Sequence, residues 1–199
     1  SSSDAIGQRN CPTGTYQANT GQSSCTDATA GYYVSSVAST TQTECAVGTY
    51  QASTGQTSCD DADTGYYVYQ TGQSSQTACV AGTYQDQTGQ TSCDDADAGY
   101  YVSTSGASTQ TACAAGTYQA STAQSSCDDA DAGYYVSTST ASTQTPCATG
   151  TYQASTGQTS CGDAAAGYYS EGTVTDATTG VTTVATSQTP CAAGKYQAD

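Results

Sequence analysis

Cys45-Ala46-Val47-Gly48-Thr49-Tyr50-Gln51 opens a stretch that runs through Cys59-Asp60-Asp61-Ala62-Asp63-Thr64-Gly65-Tyr66-Tyr67-Val68 to Cys79, where the pattern starts again. The gaps between cysteines are alternately 14 and 20 residues, and this holds along Cys11, Cys25, Cys45, Cys59, Cys79, Cys93, Cys113, Cys127, Cys147 and Cys161. Only the last gap, to Cys191, is longer, at 30. A fixed 34-residue period is the signature of a repeat array. A unit so short and so polar cannot bury a core of its own and needs covalent ties.

The array divides the chain as follows. Residues 1–10 are an N-terminal segment; repeats occupy 11–44, 45–78, 79–112, 113–146 and 147–190; residues 191–199 begin a truncated sixth. The fifth repeat holds a ten-residue insertion between Tyr169 and Thr189. Insertions in repeats map to loops, so this one is expected to lengthen a surface hairpin.

Composition points the same way. Phe, Trp, Met, His and Leu are absent and Ile6 is the one isoleucine, so 17 tyrosines with valines and alanines are the apolar inventory. That content alone reads as disorder, and the regular cysteines overturn it. Closing a loop of about 15 residues removes roughly 3 kcal/mol of unfolded-chain entropy on the simplest view of a disulfide. Such bridges persist in oxidising compartments, which places the chain outside the cell or on its surface. A net charge of −15, with Arg9 and Lys195 the only bases, excludes nucleic-acid binding. No apolar run spans a bilayer, so no membrane insertion is expected in this segment.

Runs such as Thr49-Tyr50-Gln51 and Thr57-Ser58-Cys59 predict a small hairpin, and Gly65-Tyr66-Tyr67-Val68 with Gln76-Thr77-Ala78-Cys79 a second. No window has helical periodicity. The expected fold is small, disulfide-rich and irregular all-β, an elongated linear array of 34-residue repeats with little hydrophobic core. Gly14, Gly48, Gly82, Gly116 and Gly150 recur at one place and Gly31, Gly65, Gly99, Gly133 and Gly167 at another, which suggests positive φ or close backbone approach. At the turn held by Gly21, Gly55, Gly89 and Gly157, repeat four has Ala123, so that turn is expected not to require a positive φ. One tyrosine of each Tyr-Tyr pair, with Tyr16, Tyr50, Tyr84, Tyr118 and Tyr152, is expected to cover the disulfides and the module junctions.

Two pairings satisfy the spacing. Joining cysteines 14 apart gives Cys11–Cys25, Cys45–Cys59, Cys79–Cys93, Cys113–Cys127 and Cys147–Cys161, and leaves Cys191 unpaired within this chain. Joining those 20 apart leaves Cys11 instead. The insertion lies between Cys161 and Cys191, where the first scheme accommodates it without altering a bridged loop, and we favour that scheme.

The opening Cys11-Pro12-Thr13-Gly14-Thr15-Tyr16, followed by Cys25, resembles the first half of the cysteine-rich repeats of tumour-necrosis-factor-receptor-like and ephrin-receptor-like ectodomains. Long runs of near-identical units also resemble repetitive microbial surface proteins. The further cysteines of the doubly bridged second half-module are missing here. The resemblance therefore implies an extracellular scaffold rather than a receptor-style ligand site.

Candidate chemistry is sparse. Asp60-Asp61-Ala62-Asp63 and its echoes at Asp94–Asp97 and Asp128–Asp131 make Asp61, Asp63, Asp95, Asp97, Asp129 and Asp131 weak calcium candidates. Only Asp27, Asp61, Asp95, Asp129 and Asp163 recur in all five repeats, and a single Asp two residues past a cysteine is expected to accept backbone N–H bonds in a turn. With no histidine and the cysteines committed to bridges, no catalytic residue and no cofactor is expected, and the chain is not read as an enzyme. Dense Ser/Thr stretches such as Ser137-Thr138-Ser139-Thr140-Ala141-Ser142-Thr143 suit O-linked glycans. The reading that follows is a structural extracellular stalk, fibre or filament that associates with copies of itself; the alternative is a multivalent adhesin or receptor-like module binding a glycan or protein.

Overall fold

The computed structural model describes residues 9–175 and 182–192. Among the described residues there is no helix, and each strand is two residues long and pairs with a single neighbour. The chain is an irregular all-β array with a 34-residue sequence period and five disulfides. Of the two pairings, it has the one across 14 residues.

The backbone, however, repeats twice as often as the sequence. Gly14, Gly31, Gly48 and Gly65 follow one another at intervals of 17 residues and share φ values of 82, 85, 80 and 83°. Thr49–Tyr50 pairs with Asp60–Asp61, and 17 residues later Tyr66–Tyr67 pairs with Thr77–Ala78 in the same antiparallel register. Each 34-residue repeat is thus two 17-residue modules of one conformation, the first headed by Cys and the second by Ala. In the Cys-headed module the returning strand lies just past the second cysteine, at Asp60–Asp61, rather than at the expected Thr57-Ser58-Cys59. Each module opens on a tight turn: the Thr49 N–H and hydroxyl both donate to the Ala46 carbonyl, at 3.0 and 2.8 Å. Gly48 takes the third place, where a type II turn demands a positive φ.

The strands are short because the chain leaves its hairpin to bond to the next module. The described residues fall into two compact units. One contains the chain through Val80 together with Tyr84–Asp94 and Ser105–Thr109; the other contains Ala81–Thr83, Asp95–Thr104 and the chain from Gln110.

In the first unit, four backbone hydrogen bonds join module 28–44 to module 45–61. Gly31 N donates to Gln51 O (2.7 Å), Val34 N to Gln56 O (2.9 Å), Cys45 N to Gly31 O (2.9 Å) and Gly55 N to Ala28 O (2.8 Å). The same four, moved by 17 residues, join 45–61 to 62–78 through Gly48, Gln51, Ala62 and Gly72. Modules two apart also touch. A Cβ on Gly48 would stand 2.2 Å from the Gly89 carbonyl oxygen, so only glycine allows this approach. The second unit repeats the ladder, with Gly116 N to Val136 O, Gln119 N to Ala141 O, Ala130 N to Gly116 O and Thr140 N to Cys113 O.

The core is a file of small side chains. Ala28, Cys45, Ala62 and Cys79 are fully buried, with Val34, Val68, Gln51 and Gln85 nearly so. In the second unit Ala96, Cys113, Ala130, Val102, Val136 and Gln119 do the same. The tyrosines expected to cover the disulfides and module junctions are not part of this core: no described tyrosine is buried. Modules bonded this closely leave room for nothing larger than valine or glutamine; the tyrosines on the two-residue strands are mostly half-exposed, and Tyr69 and Tyr168 are exposed.

The insertion forms a hairpin within a hairpin. Tyr168–Tyr169 pairs with Thr189–Pro190, and inside that pair Val174–Thr175 pairs with Thr182–Thr183. Backbone bonding resumes on both sides: Thr173 N donates to Cys147 O at 3.2 Å and Gln153 N to Ala185 O at 3.0 Å. The truncated sixth repeat lies outside the described residues from Ala193 onward.

Candidate functional site

Cys-headed and Ala-headed modules share a backbone but are closed differently. In the first kind, a disulfide joins the first and fifteenth positions, as in Cys45–Cys59 with Cα atoms 5.7 Å apart. In the second kind the fifteenth position is glutamine. Gln76 accepts from the Asp63 N–H and donates to the Asp63 carboxylate, both at 2.6 Å. Gln110 holds Asp97 with two bonds of 2.7 Å, and Gln144 holds Asp131 with two of 2.6 Å. Gln42 does the same with the Thr29 N–H and hydroxyl, and Gln188 with the Ala165 N–H. A two-point hydrogen bond stands in place of the covalent tie in four Ala-headed modules, and in the fifth, which carries the insertion, Gln188 accepts one bond. An aligned reading at 17 residues, with Cys25, Gln42, Cys59 and Gln76 in one column, would have found these glutamines; the cysteine spacing drew the reading to 34.

A second set of glutamines is internal to the Cys-headed modules. Gln51, Gln85 and Gln119 are buried and each donates to a main-chain carbonyl seven residues on, at 3.0–3.1 Å (Ser58, Ser92 and Ser126). Their Oε1 atoms accept from the backbone two residues on. No buried side-chain polar atom is left unsatisfied among the described residues. Gln56, Gln90 and Gln124 are half-buried and donate to the carbonyls of Thr54, Thr88 and Thr122. Their recurrence thus has a structural cause.

The structure splits each acidic cluster. Asp60 and Asp61 form an exposed strand, and Asp60 receives the Gln51 amide at 3.2 Å. Asp63 faces its clamp glutamine instead. Asp95 sits in the equivalent strand Asp94–Asp95 and Asp129 in Asp128–Asp129, with Asp97 and Asp131 in their own clamps. Among the described residues no three His, Cys, Asp or Glu side chains gather where a metal ion would be held. The invariant acid does not cap a turn as expected. Asp27, Asp61 and Asp129 accept no hydrogen bond from a described residue; they lie against the turn glycine one period on, Gly55, Gly89 and Gly157.

Burial and neighbouring carboxylates raise the pKa of three phenols. Tyr50 is raised above 10.0 by desolvation and then by Asp63 and Asp60; Tyr118 is raised by desolvation and then by Asp131, Asp128 and Tyr134. Tyr32 is raised by its hydrogen bond to Glu44 (3.2 Å) and by that group's charge. The second Glu44 oxygen accepts from the Thr71 hydroxyl at 3.0 Å, which links two Ala-headed modules of the first unit.

Cys191 is half-buried and unbridged. No described helix is long and apolar enough to cross a membrane. No known protein family matches the chain, and no curated protein does.

Proposed function

We propose that this chain is a structural repeat segment that works outside the cell, as part of a stalk, fibre or filament that associates with copies of itself and carries O-linked glycans. The observation behind this reading is the reuse of one junction: the same four main-chain bonds join one module to the next, and nearly every buried or recurring side chain serves closure or stacking. An array built this way gains stability by nearest-neighbour terms and grows by adding copies. The bridges favour an oxidising, extracellular setting. The resemblance to receptor-like ectodomain repeats enters only as support for an extracellular scaffold. Exposed hydroxyls without a hydrogen bond to a described residue, such as Ser103, Thr104, Ser137 and Thr138, are the natural glycan acceptors.

Intact mass of the native protein, before and after reduction and deglycosylation, tests the covalent part. Five bridges and a mass excess removed by deglycosylation are expected; free thiols throughout or an unmodified mass would overturn it. Electron microscopy of concentrated protein tests the assembly, and isolated single particles at every concentration would count against it.

A further inference from the structure

We infer that the Ser/Thr pair at the thirteenth and fourteenth places of the module is the regular acceptor of O-linked sugars, one paired site in each module. The inference rests on the glycan-bearing reading above and names the residues and the class of sugar donor.

Thr57-Ser58 is such a pair, directly before the bridged Cys59, and Ser74-Ser75 is its equivalent before the clamp residue Gln76. From Ser23-Ser24 to Thr186-Ser187, which precedes Gln188, both places hold Ser or Thr in all ten modules of the five repeats. Every other exposed place admits a residue without a hydroxyl. The second and third take Ala46-Val47, the eighth and ninth Tyr69-Gln70, the tenth Val37, and the last two Asp60-Asp61. Solvent contact therefore does not by itself select a hydroxyl on this surface.

Nor does the fold use these hydroxyls. Where it needs one, the bond is present: the Thr15, Thr49, Thr117 and Thr151 hydroxyls each donate to the carbonyl three residues back, at 2.8–2.9 Å. No hydroxyl of the pairs bonds to a described residue, and all of these residues are exposed except the half-buried Ser108. What the fold takes from the pair is main chain. The buried amides of Gln51, Gln85 and Gln119 donate to the Ser58, Ser92 and Ser126 carbonyls at 3.0–3.1 Å, a bond that alanine would accept equally well. That bond and the adjoining bridge fix the segment while its hydroxyls stand in solvent. Ser and Thr also replace one another along the array, so the oxygen is kept and the methyl is not. A covalent acceptor needs only the oxygen, whereas a surface packed against a ligand would also select the methyl.

The donor is a sugar activated as a nucleotide or lipid phosphate. The Ser or Thr oxygen attacks the anomeric carbon, and the new C–O bond forms as the bond from that carbon to the phosphate oxygen breaks. The hydroxyl proton passes to the transferase's base, and the phosphate leaves with the bonding electrons.

Native protein cut at its aspartates, with each glycopeptide fragmented by electron transfer, locates the sugars by residue. Sugar on the pair in most modules is the expected result. Sugars confined to other places, such as Ser103 and Thr104, overturn the pair while the glycan reading stands. A chain without sugar defeats that reading itself, and the pair with it. Ser74→Ala with Ser75→Ala, made in the same cells, should strip the sugar from module 62–78 and leave the other modules as they were; full occupancy retained there overturns the assignment. The same double substitution, in oxidised protein from a host that adds no sugar, isolates any structural role. An unchanged urea midpoint is expected, and a lowered one shows that the hydroxyls serve the fold and overturns the proposal.

Discussion

Replacing Gly48 and Gly55 by alanine, one at a time, separates two costs that every module carries together. Both residues have positive φ, +80° and +71°. For an L-residue that conformation costs about 1–2 kcal/mol, partly offset by the about 0.5–1 kcal/mol of backbone entropy that glycine forfeits on folding. At Gly55 nothing else changes, because the nearest atom to a new Cβ is Asp27 Cγ at an ordinary 3.6 Å. Gly55→Ala should therefore cost about 0.5–1.5 kcal/mol. At Gly48 the new Cβ falls 2.2 Å from the Gly89 carbonyl oxygen, and 3.0 Å from its carbon. Relief requires a main-chain shift of about 1 Å, an overpacking that adds about 1–3 kcal/mol. The shift also strains the bond from Gly89 N to Ala62 O, now 2.8 Å, whose loss would add about 1 kcal/mol. Gly48→Ala should thus cost about 3–5 kcal/mol in all. Urea unfolding of the oxidised proteins, followed by tyrosine fluorescence and circular dichroism, measures both. Equal costs for the two substitutions, within about 0.5 kcal/mol, would refute the close approach of modules two apart.

Four further outcomes follow from the same geometry. Ala123 and Thr140 stand at the glycine turn with φ of 59° and 62°, so Ala123→Gly and Thr140→Gly should raise thermal stability by about 0.5–1 kcal/mol each, with the larger gain at the β-branched residue; a loss at either site would contradict the strain. Gln76→Ala should destabilise by about 1–2 kcal/mol by opening its clamp. The double substitution Ala62→Cys with Gln76→Cys should instead close a sixth bridge, visible as a 14-residue loop in the mass map of the unreduced protein; two persistent thiols would refute the equivalence of clamp and disulfide. Alkaline titration has a defined sign. Tyr50 and Tyr118 hold their protons above 10.0 in the folded chain, so their contribution is complete below that pH and is lost as pH rises through the folded values, because the unfolded chain ionises first. Phenolate absorbance should accordingly rise later in native than in urea-unfolded protein, and coincident curves would refute the raised pKa values.

The sequence could not show that Ala123 adopts positive φ. An alanine in place of glycine argues for a relaxed turn when the turn is considered alone. The structure keeps φ positive there, as at Ala38 and Thr140, because the amide of that residue must reach the first carbonyl of the preceding module, Ala96 O for Ala123 and Cys113 O for Thr140. The tyrosines misled for a related reason. They are the largest apolar groups in the chain, yet junction bonds of 2.7–3.2 Å hold the first-unit modules too close for a ring between them. Asp61 and Asp63 looked like one cluster in the linear chain, but one stays in the strand and the other turns to Gln76.

Cysteine spacing by itself determined the 34-residue period, and the lack of apolar periodicity pointed away from helix; both the 14-residue and the 20-residue pairing satisfied that spacing, and the structure chose the first. Tertiary structure decided that modules headed by cysteine and by alanine share one conformation, which makes the 17-residue recurrence of Gly14, Gly31, Gly48 and Gly65 the backbone period, with cysteine and glutamine as alternative closures. That equivalence exists only where the chain packs against its own next turn: main-chain hydrogen bonds carry no side-chain signature, so the ladder that makes Cys-headed and Ala-headed modules alike leaves no mark in composition.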